Sequence, residues 1–433
     1  MAERAERKIP ARALAVTRLS GLLRLAPFLA IMGPGIITGV VDDDPTGIAG
    51  YAIAGARFGY ALLWVLIFTT LALAVVQEMS ARMGAVTGKG LADLIRERFG
   101  VRITVLAMVT LLVANAITTV AEFAGVAAAS EIFGVSRYIT VPIAAALVFL
   151  VVVVGSYRRV EMVLLTFSLV FVSYIITGFM AKPDWGAVGS HLVVPSFHLT
   201  LPYLTVTIGL IGTTIAPWMQ FYLQSAVVDK GLSPREYQWE RLDVYVGSLF
   251  TNLIAFFIIV TTAATLFVHG KPSDTVIDVA QTLRPLAGDF AARLFAIALL
   301  NAALMAAVVL PLGTAYAVCE AFGWEHSVNR PVREAPAFFG LFAGLIALGA
   351  AAVLIPGVPL LTLLFVPNVV GGILLPVILV LMIKLVNDRG IMGQWVNSRW
   401  QNVIACATTG VLIALSVTYL IIAILVAVGV LTG

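Results

Sequence analysis

The sequence predicts an all-α polytopic membrane protein with 11 transmembrane helices, ten of which form two inverted five-helix repeats. Three observations support this fold class. The 433 residues are 61% hydrophobic and 12% charged, with a mean hydropathy of +1.02, which is typical of a polytopic helical membrane protein. Apolar segments of spanning length recur along the whole chain. Two of these segments, 172 residues apart, are interrupted by prolines at matching positions, Pro45 and Pro217.

A hydrocarbon core requires about 20 apolar residues per helix, and the chain divides accordingly. Residues 1–26 form a basic cytoplasmic tail without a signal peptide, and residues 27–433 form a single transmembrane domain. The predicted spans are 27–56, 60–82, 103–132, 138–156, 160–181, 200–228, 243–268, 289–322, 336–355, 359–386 and 401–431. We expect 88–100 to be a short helix on the cytoplasmic face, and 181–198 and 269–289 to be outer loops.

The distribution of positive charge predicts the orientation. With the N-terminus inside, 21 of the 27 Lys and Arg residues lie on the cytoplasmic side, as the positive-inside rule requires. We therefore expect an integral protein of the plasma (inner) membrane, with a cytoplasmic N-terminus and an external C-terminus. Because these residues are scattered over inter-span loops, the net charge of +4 reflects topology, and we expect no nucleic-acid partner. The two cysteines lie in or beside apolar spans and predict no disulfide framework or zinc site.

The two prolines define the repeats. Each proline interrupts the first span of a five-span unit, residues 27–181 and 200–386, and the eleventh helix, 401–431, lies outside both units. An odd number of spans per unit places the units in opposite orientations. In many secondary transporters such paired broken helices indicate a substrate site near the bilayer midplane.

The break in the first span has the sequence DDDPTG, Asp42 to Gly47. A charge at the bilayer centre costs at least ~2.5 kcal/mol, so buried acids there usually face a bundle interior or a water-filled cavity. Three adjacent carboxylates offer oxygen-only ligands that suit a hard divalent cation. The alternative is a re-entrant loop that Asp side chains cap without any ion.

The break in the sixth span should free backbone carbonyls at Thr214, Ile215 and Ala216. These carbonyls would face the carboxylates of the first span, and Gln220 offers a further oxygen. A proline kink in a membrane helix can also be purely structural, and amides in a span can simply bridge helices.

Two further polar residues lie deep in spans. Glu122, in the third span, is a candidate proton carrier or cavity-lining group, with a hydrogen-bonded structural acid as the alternative. Asn368, in the tenth span, is either a ligand or a helix-bridging amide.

These motifs resemble those of Nramp-type divalent metal transporters. GPGIITGVVDDDPTG is similar to that family's first-span pattern, in which GPG and eight residues precede Asp-Pro-Gly-Asn, and GTTIAPW is similar to its sixth-span motif. NDRGIMG, TVAEFAG and LPLGTAYAVCEAFG extend the resemblance over nearly the whole chain. The resemblance implies a LeuT-like 5+5 inverted repeat that works by alternating access. It also implies that Asp44 is the metal-binding Asp, that Ala216 replaces the family's Met, and that Asn368 replaces a tenth-span Gln.

The departures from the pattern point to a branch of that family, the Nramp-related magnesium transporters. Thr46 and Gly47 stand where the family has Gly-Asn, and Ala216 removes the thioether that favours transition metals over Mg²⁺. Trp218 replaces the sixth-span His and Thr119 a third-span Asp, both parts of the family's proton route. Since Mg²⁺ sheds water reluctantly and prefers one or two carboxylates with retained waters, small residues beside several acids suit a partly hydrated ion.

The resulting prediction is a secondary transporter of divalent cations, Mg²⁺ and also Mn²⁺, that acts as a monomer without strong proton coupling. It needs no cofactor, because the metal is the substrate. The metal-site candidates are Asp44, Asp43, Thr46, Gly47, Ala216, Ile215, Asn368 and Gln220, with Glu122 and Asp42 as proton or cavity-lining residues.

Three alternatives remain open. The first is a proton-coupled Mn²⁺ or Fe²⁺ importer of the conventional Nramp type, and the second is an amino-acid or organic-cation transporter on the same fold. The third, a membrane-embedded hydrolase, would need two acids on separate facing helices, and beyond the DDD run only Glu122 lies deep, so we do not expect an enzyme.

Overall fold

The computed structural model describes residues 38–39, 41–154, 171–270, 276–280, 288–328 and 330–427, and within these ranges the regular structure is entirely helical. The α-helices are α1 Pro45–Phe58, α2 Leu63–Thr87, α3 Leu91–Ile132, α4 Arg137–Val153, α5 Val172–Met180, α6 Trp185–Val193, α7 Leu201–Thr214, α8 Pro217–Asp229, α9 Tyr237–Thr265, α10 Val276–Ala280, α11 Ala291–Phe322, α12 Pro336–Val353, α13 Leu360–Val386, α14 Arg389–Met392 and α15 Arg399–Ala427.

Eight helices in the described part of the chain are long and apolar enough to cross a membrane, counting α7 and α8 together, and α4 is a shorter apolar helix. The protein is thus helical and membrane-spanning, as the sequence predicts. The start of the first span, residues 160–170 of the fifth span, the tail 1–26 and the end of the eleventh helix lie outside the described residues. The total of 11 spans therefore stays a prediction.

Three segments between spans differ in detail from the sequence-based expectation. One is 269–289, predicted to be a loop, which contains the short helix α10. The predicted cytoplasmic helix at 88–100 begins at Leu91 and ends at Gly100, where a φ of 75° interrupts the helical path before the third span. The segment 181–198, predicted to be a loop, contains α6, so that prediction is wrong there. Helix α6 starts where the Asp184 side chain accepts hydrogen bonds from the backbone N–H groups of Gly186 and Ala187, at 2.9 and 3.1 Å, a typical N-cap.

The sixth span is broken as predicted. Helix α7 ends at Thr214, and Ile215 (φ −125°, ψ 64°) and Ala216 (φ −70°, ψ 144°) leave the helical region. Pro217 then opens α8 at its first position, where its missing N–H costs no helical hydrogen bond. The break follows directly from the local sequence, because proline disfavours helical dihedrals in the residue before it.

The first span is broken in the same manner. Backbone at 41–42 is helical, Asp43 and Asp44 are not, and Pro45 opens α1. Pro45 packs against the third span, since a Cβ on Gly125 would lie 2.5 Å from the Pro45 Cγ. The small size of Gly125 thus allows the third span to approach the break closely.

Backbone contact between the sixth and tenth spans holds the second break in place. A Cβ on Gly212 would lie 2.1 Å from the carbonyl oxygen of Asn368 and 2.4 Å from the backbone nitrogen of Gly372. No side chain fits between these two helices, so their distance is fixed by backbone contact. The same contact sets Asn368 beside the sixth-span break.

On the side predicted to be cytoplasmic, a buried Arg joins the second span to the segment before α15. Arg82, 4% exposed, pairs with Glu78 at 3.2 Å and donates to the carbonyl oxygens of Trp395 and Val396 at 3.0 and 3.1 Å. The side chain of Asn397 accepts a further hydrogen bond from Arg82. These bonds hold α2 and residues 395–397 together as one unit.

A second contact on the same side involves Asp388, the N-cap of α14. Its carboxylate accepts from the N–H of Gly390 at 2.8 Å and pairs with Arg98 at 2.6 Å. The N–H of Gly390, with a smaller contribution from Arg98, lowers the pKa of Asp388. The contact links the short helix before Gly100 to the loop after the tenth span.

Candidate functional site

A cavity lies between the two helix breaks. The volume that the centre of a water-sized sphere can occupy in it is about 10 Å³. This is about the space that one water molecule needs. Its walls come from the first, third, sixth and tenth spans: Asp42, Asp44, Thr46, Ala114, Asn115, Thr118, Gly212, Thr213, Ala216, Pro217, Trp218, Pro367, Asn368 and Gly371. The cavity thus joins both repeats at their broken helices.

Asp44 is the carboxylate with the most defined geometry. It is the N-cap of α1, and its Oδ1 accepts from the N–H of Gly47 at 2.7 Å and from the hydroxyl of Thr46 at 2.6 Å. Both donors bind the same oxygen, so the carboxylate is held in one orientation. Asp44 is 4% exposed and lines the cavity.

The other two acids of the run point in different directions. Asp42 lines the cavity, and its Oδ2 has no donor among the described residues. Asp43 is absent from the cavity wall, and neither of its carboxylate oxygens has a hydrogen-bond donor among the described residues. Of the three acids, Asp42 and Asp44 therefore line the cavity and Asp43 does not, as consecutive residues near a helix end project in different directions.

Within the described ranges, no three His, Cys, Asp or Glu side chains lie close enough together to hold one metal ion. A cation in this cavity would therefore need neutral oxygens besides the carboxylates of Asp42 and Asp44. Thr46 and Asn368, both predicted as site residues, lie on the cavity wall.

Asn368 also links the tenth span to the first break. Its Nδ2 donates to the backbone carbonyl oxygen of Thr46 at 2.7 Å, so the amide nitrogen is engaged and the oxygen is the remaining ligand atom. Gly50 leaves room for this contact, since a Cβ there would lie 2.8 Å from the same nitrogen. Asn368 thus bridges helices and lines the cavity at once.

On the sixth-span side, Ala216 lines the cavity whereas Ile215 and Gln220 do not. With its amide nitrogen toward the backbone, Gln220 donates to the carbonyl oxygens of Ala216 at 2.8 Å and Pro217 at 2.9 Å. The Ala216 carbonyl also accepts from the N–H of Met219 at 3.2 Å. The role of Gln220 as a cavity ligand therefore stays a prediction, since its amide nitrogen is engaged by the backbone of its own helix.

Gly47 contributes through its backbone only: its N–H orients Asp44, and it is not part of the cavity wall. A Cβ at this position would lie 2.5 Å from the carbonyl oxygen of Asp42. A glycine is therefore required here by the close approach of the chain.

Glu122 lies near Asp44 and is not among the residues of the cavity wall. It is fully buried, its carboxyl group is close enough to that of Asp44 for the two to interact electrostatically, and neither of its oxygens has a hydrogen-bond donor among the described residues. Two carboxyl groups bond to each other only when one of them carries a proton. A proton on either group would allow Glu122 and Asp44 to form such a bond.

Sequence reasoning missed Asn115 and Thr118 of the third span, both on the cavity wall. The available signal was their spacing from Glu122. Residues three, four and seven apart share a helix face, so Asn115 and Thr118 face the same way as the one acid that was identified there. A hydrogen bond between Tyr51 and Thr214, 3.0 Å, which ties the two broken spans directly, was also not predicted.

Comparison with known proteins gives consistent relatives. Residues 35–422 match the Nramp family, described as natural resistance-associated macrophage protein-like. The divalent metal cation transporter MntH of Bacillus subtilis is 28% identical over 411 residues, which is 92% of this chain and 93% of that protein. MntH of Deinococcus radiodurans is 29% identical over 432 residues, 95% and 94% of the two chains.

Among solved structures, a mutant of the manganese transporter of Eremococcus coleocola superimposes with a TM-score of 0.73 at 21% identity, covering 90% of this chain and 85% of that one. MhsT in complex with L-phenylalanine gives a TM-score of 0.61 at 15% identity, with 89% and 97% coverage. At these identities the likeness concerns the fold alone, and both structures carry the predicted LeuT-like architecture. With the family match over most of its length, the chain belongs to the Nramp family and is a transporter-type membrane protein rather than an enzyme.

Proposed function

We propose that this protein is a secondary transporter of divalent metal cations that moves Mg²⁺, and also Mn²⁺, by alternating access without strong proton coupling. The observation that carries the proposal is the composition of the cavity. The oriented carboxylate of Asp44 lies on one wall and Ala216, which has no ligand atom in its side chain, on the opposite broken helix. The relatives named as divalent metal cation transporters support the broader statement.

The preference for Mg²⁺ follows from the donor set. All the side-chain ligand atoms on the cavity wall are oxygens, from Asp42, Asp44, Thr46, Thr118, Thr213, Asn115 and Asn368, since Trp218 offers only an N–H. Hard oxygen ligands suit Mg²⁺, Ca²⁺ and Mn²⁺, whereas sulfur and imidazole ligands shift a site toward softer transition metals. A wall without sulfur or imidazole therefore gives no advantage to the softer ions.

An ion that keeps part of its water shell needs a wider cavity than this conformation has. The cavity has space for about one water-sized species, which is less than a hydrated Mg²⁺ needs. The alternating-access cycle would provide a wider state, in which an ion enters with part of its water shell and passes between Asp44 and Ala216. The inside-negative potential would drive this entry, since two charges crossing 100 mV gain about 4.6 kcal/mol.

The proposal also covers the orientation of the protein in the membrane and the number of chains that transport requires. We infer a plasma (inner) membrane protein with its N-terminus inside and its C-terminus outside, because most basic residues then face the cytoplasm. We also infer that one chain suffices for transport, because the described part of a single chain brings the first, third, sixth and tenth spans together around the cavity.

The deciding experiment is uptake into proteoliposomes with an internal pH dye, comparing Mg²⁺, Mn²⁺ and Ca²⁺ at several membrane potentials. We expect Mg²⁺ to enter, to compete with Mn²⁺, and to leave the internal pH unchanged. Failure of Mg²⁺ either to enter or to compete would disprove the magnesium preference. A fall of internal pH in step with uptake would disprove uncoupled transport.

A second candidate is a proton-coupled Mn²⁺ or Fe²⁺ importer. The contact of Glu122 with Asp44 favours it, because a metal ion arriving at Asp44 would displace a proton shared by the two carboxyl groups. This candidate predicts that internal acidification accompanies Mn²⁺ uptake and is lost in Glu122→Gln while Mn²⁺ still enters. The remaining transport alternative, an amino-acid or organic-cation transporter, rests on the shared fold only, and competition by these solutes in the same assay tests it.

A further inference from the structure

We propose that Asn115 of the third span supplies a neutral oxygen ligand, its Oδ1, to the transported cation or to a water molecule that the cation carries. This inference rests on the proposed transport of divalent cations. It adds the third span to the helices that contact the ion and assigns Thr314 of α11 as the residue that positions the ligand.

The hydrogen bonds around Thr314 fix the orientation of the Asn115 amide. The hydroxyl of Thr314 donates its only proton to the carbonyl oxygen of Leu310, at 2.8 Å. Its oxygen can therefore only accept from Asn115, which lies 2.6 Å away. The group of Asn115 that faces Thr314 must then be the NH₂, because only the NH₂ of an amide donates. Consequently the amide oxygen is directed away from Thr314.

The oxygen that remains has no partner. Asn115 is 1% exposed, and its Oδ1 has no hydrogen-bond donor among the described residues. An unpaired buried amide oxygen costs roughly 1–3 kcal/mol, so such a group needs a ligand or an ordered water. Asn115 lines the cavity together with Asp42 and Asp44, which places this free acceptor beside two carboxylates.

A cation in the cavity would pair with the free Oδ1 of Asn115, and this oxygen would give the cation a neutral ligand. The described residues bring together fewer than three acidic, imidazole or thiol ligands in the cavity, so a divalent ion there needs neutral oxygens. Amide oxygens are ordinary ligands of hard divalent cations. The bond to Thr314 acts on the ligand as outer-shell bonds do in metal sites, by holding the amide in the orientation that presents oxygen.

The test compares Asn115→Cys with Asn115→Ser in proteoliposomes and measures Cd²⁺ inhibition of Mn²⁺ uptake. The two side chains are nearly equal in size, but only the thiol binds Cd²⁺ strongly. If Asn115 faces the ion, Cd²⁺ should inhibit the Cys variant at a concentration about tenfold lower than the Ser variant. Cys319 and Cys406, present in both variants, contribute the same background to each.

Two further variants separate a ligand from a structural bond. Thr314→Val removes the acceptor that orients the amide and should raise the KM for Mn²⁺ by about tenfold. Thr314→Ser keeps the hydroxyl, so its KM should stay near that of the unsubstituted protein. Equal Cd²⁺ inhibition of Asn115→Cys and Asn115→Ser would overturn the proposal, as would an unchanged KM in a folded Thr314→Val. A folded parent that moves no divalent cation would instead refute the proposed function itself.

Discussion

The side chain of Asn368 donates a hydrogen bond to the backbone carbonyl of Thr46 across 2.7 Å. This bond connects the tenth span of the second repeat to the broken helix of the first. The same carbonyl belongs to the residue whose hydroxyl orients Asp44. Asn368 therefore acts on the geometry of the cavity through its nitrogen, while its oxygen is available to a ligand.

We expect Asn368→Asp to weaken both stability and transport. The substitution keeps the shape but replaces the donor by a second acceptor that faces the Thr46 carbonyl, and the lost buried bond should cost about 1–3 kcal/mol. Thermal unfolding in detergent and Mn²⁺ uptake measure the two effects. Asn387→Asp is the control for transport. It also removes an amide donor, which bonds to the carbonyl oxygen of Ile383, but Asn387 lies outside the cavity wall. A fully active Asn368→Asp would contradict the bridging role.

The charge of Asp44 should be essential for transport, independently of its capping of α1. Asn also caps helices well, so Asp44→Asn should remain folded and lose ion affinity by more than about tenfold. Asp184→Asn is the matched control, because Asp184 caps α6 through bonds of 2.9 and 3.1 Å outside the cavity. Proteoliposome uptake with both variants compares them directly. Normal transport by Asp44→Asn would remove Asp44 from the site.

Introducing a thioether at Ala216 should change ion selectivity. Ala216→Met places sulfur on the cavity wall opposite Asp44, and sulfur favours transition metals over Mg²⁺. We expect the ratio of Mn²⁺ to Mg²⁺ uptake to rise by about tenfold, equivalent to about 1.4 kcal/mol. Ala216→Leu has a similar volume without sulfur and serves as the control. If both variants change the ratio equally, the effect arises from size and the selectivity argument fails.

Adding a side chain at Gly212, where the sixth and tenth spans are in backbone contact, should unfold the protein. In Gly212→Ala the new methyl group would lie 2.1 Å from the Asn368 carbonyl oxygen, and backbone atoms cannot rotate away as a side chain can. We expect a loss of folded protein, measured by size-exclusion chromatography and thermal unfolding. Gly340→Ala in α12 has nothing within 4 Å of the new methyl group and should be as stable as the parent. Equal behaviour of the two variants would show that the helices are further apart than described.

The Arg82 network should matter far more for stability than a surface ion pair. Arg82→Met leaves Glu78 buried without its cation, which should cost about 3–5 kcal/mol. Lys89→Met breaks the bond between Lys89 and Glu97, 2.6 Å apart but 46% and 56% exposed, and should cost less than about 1 kcal/mol. Denaturant unfolding in detergent compares the variants. An Arg82→Met protein as stable as Lys89→Met would mean that the network does not hold α2 to residues 395–397.

Much of the fold could be predicted from local sequence because its causes are local. Spanning length, apolar composition and proline position act within a few residues, so the break at Ile215 and Ala216 agrees with prediction. The helix α6 was missed because its signal, a single Asp cap at Asp184, lies in a segment that otherwise has the composition of a loop.

The candidate site could be predicted only in part. The sequence alone determined that carboxylates and prolines interrupt two matching spans, since a charge and a missing N–H are costly in a membrane wherever the helices pack. Tertiary structure decided which atoms face the cavity. It left Asp43 off the cavity wall and placed the Gln220 amide nitrogen on its own backbone, and it brought Asn115 to the wall beside Asp44. These choices depend on helix rotation and on partners far along the chain, which the local pattern of residues does not contain.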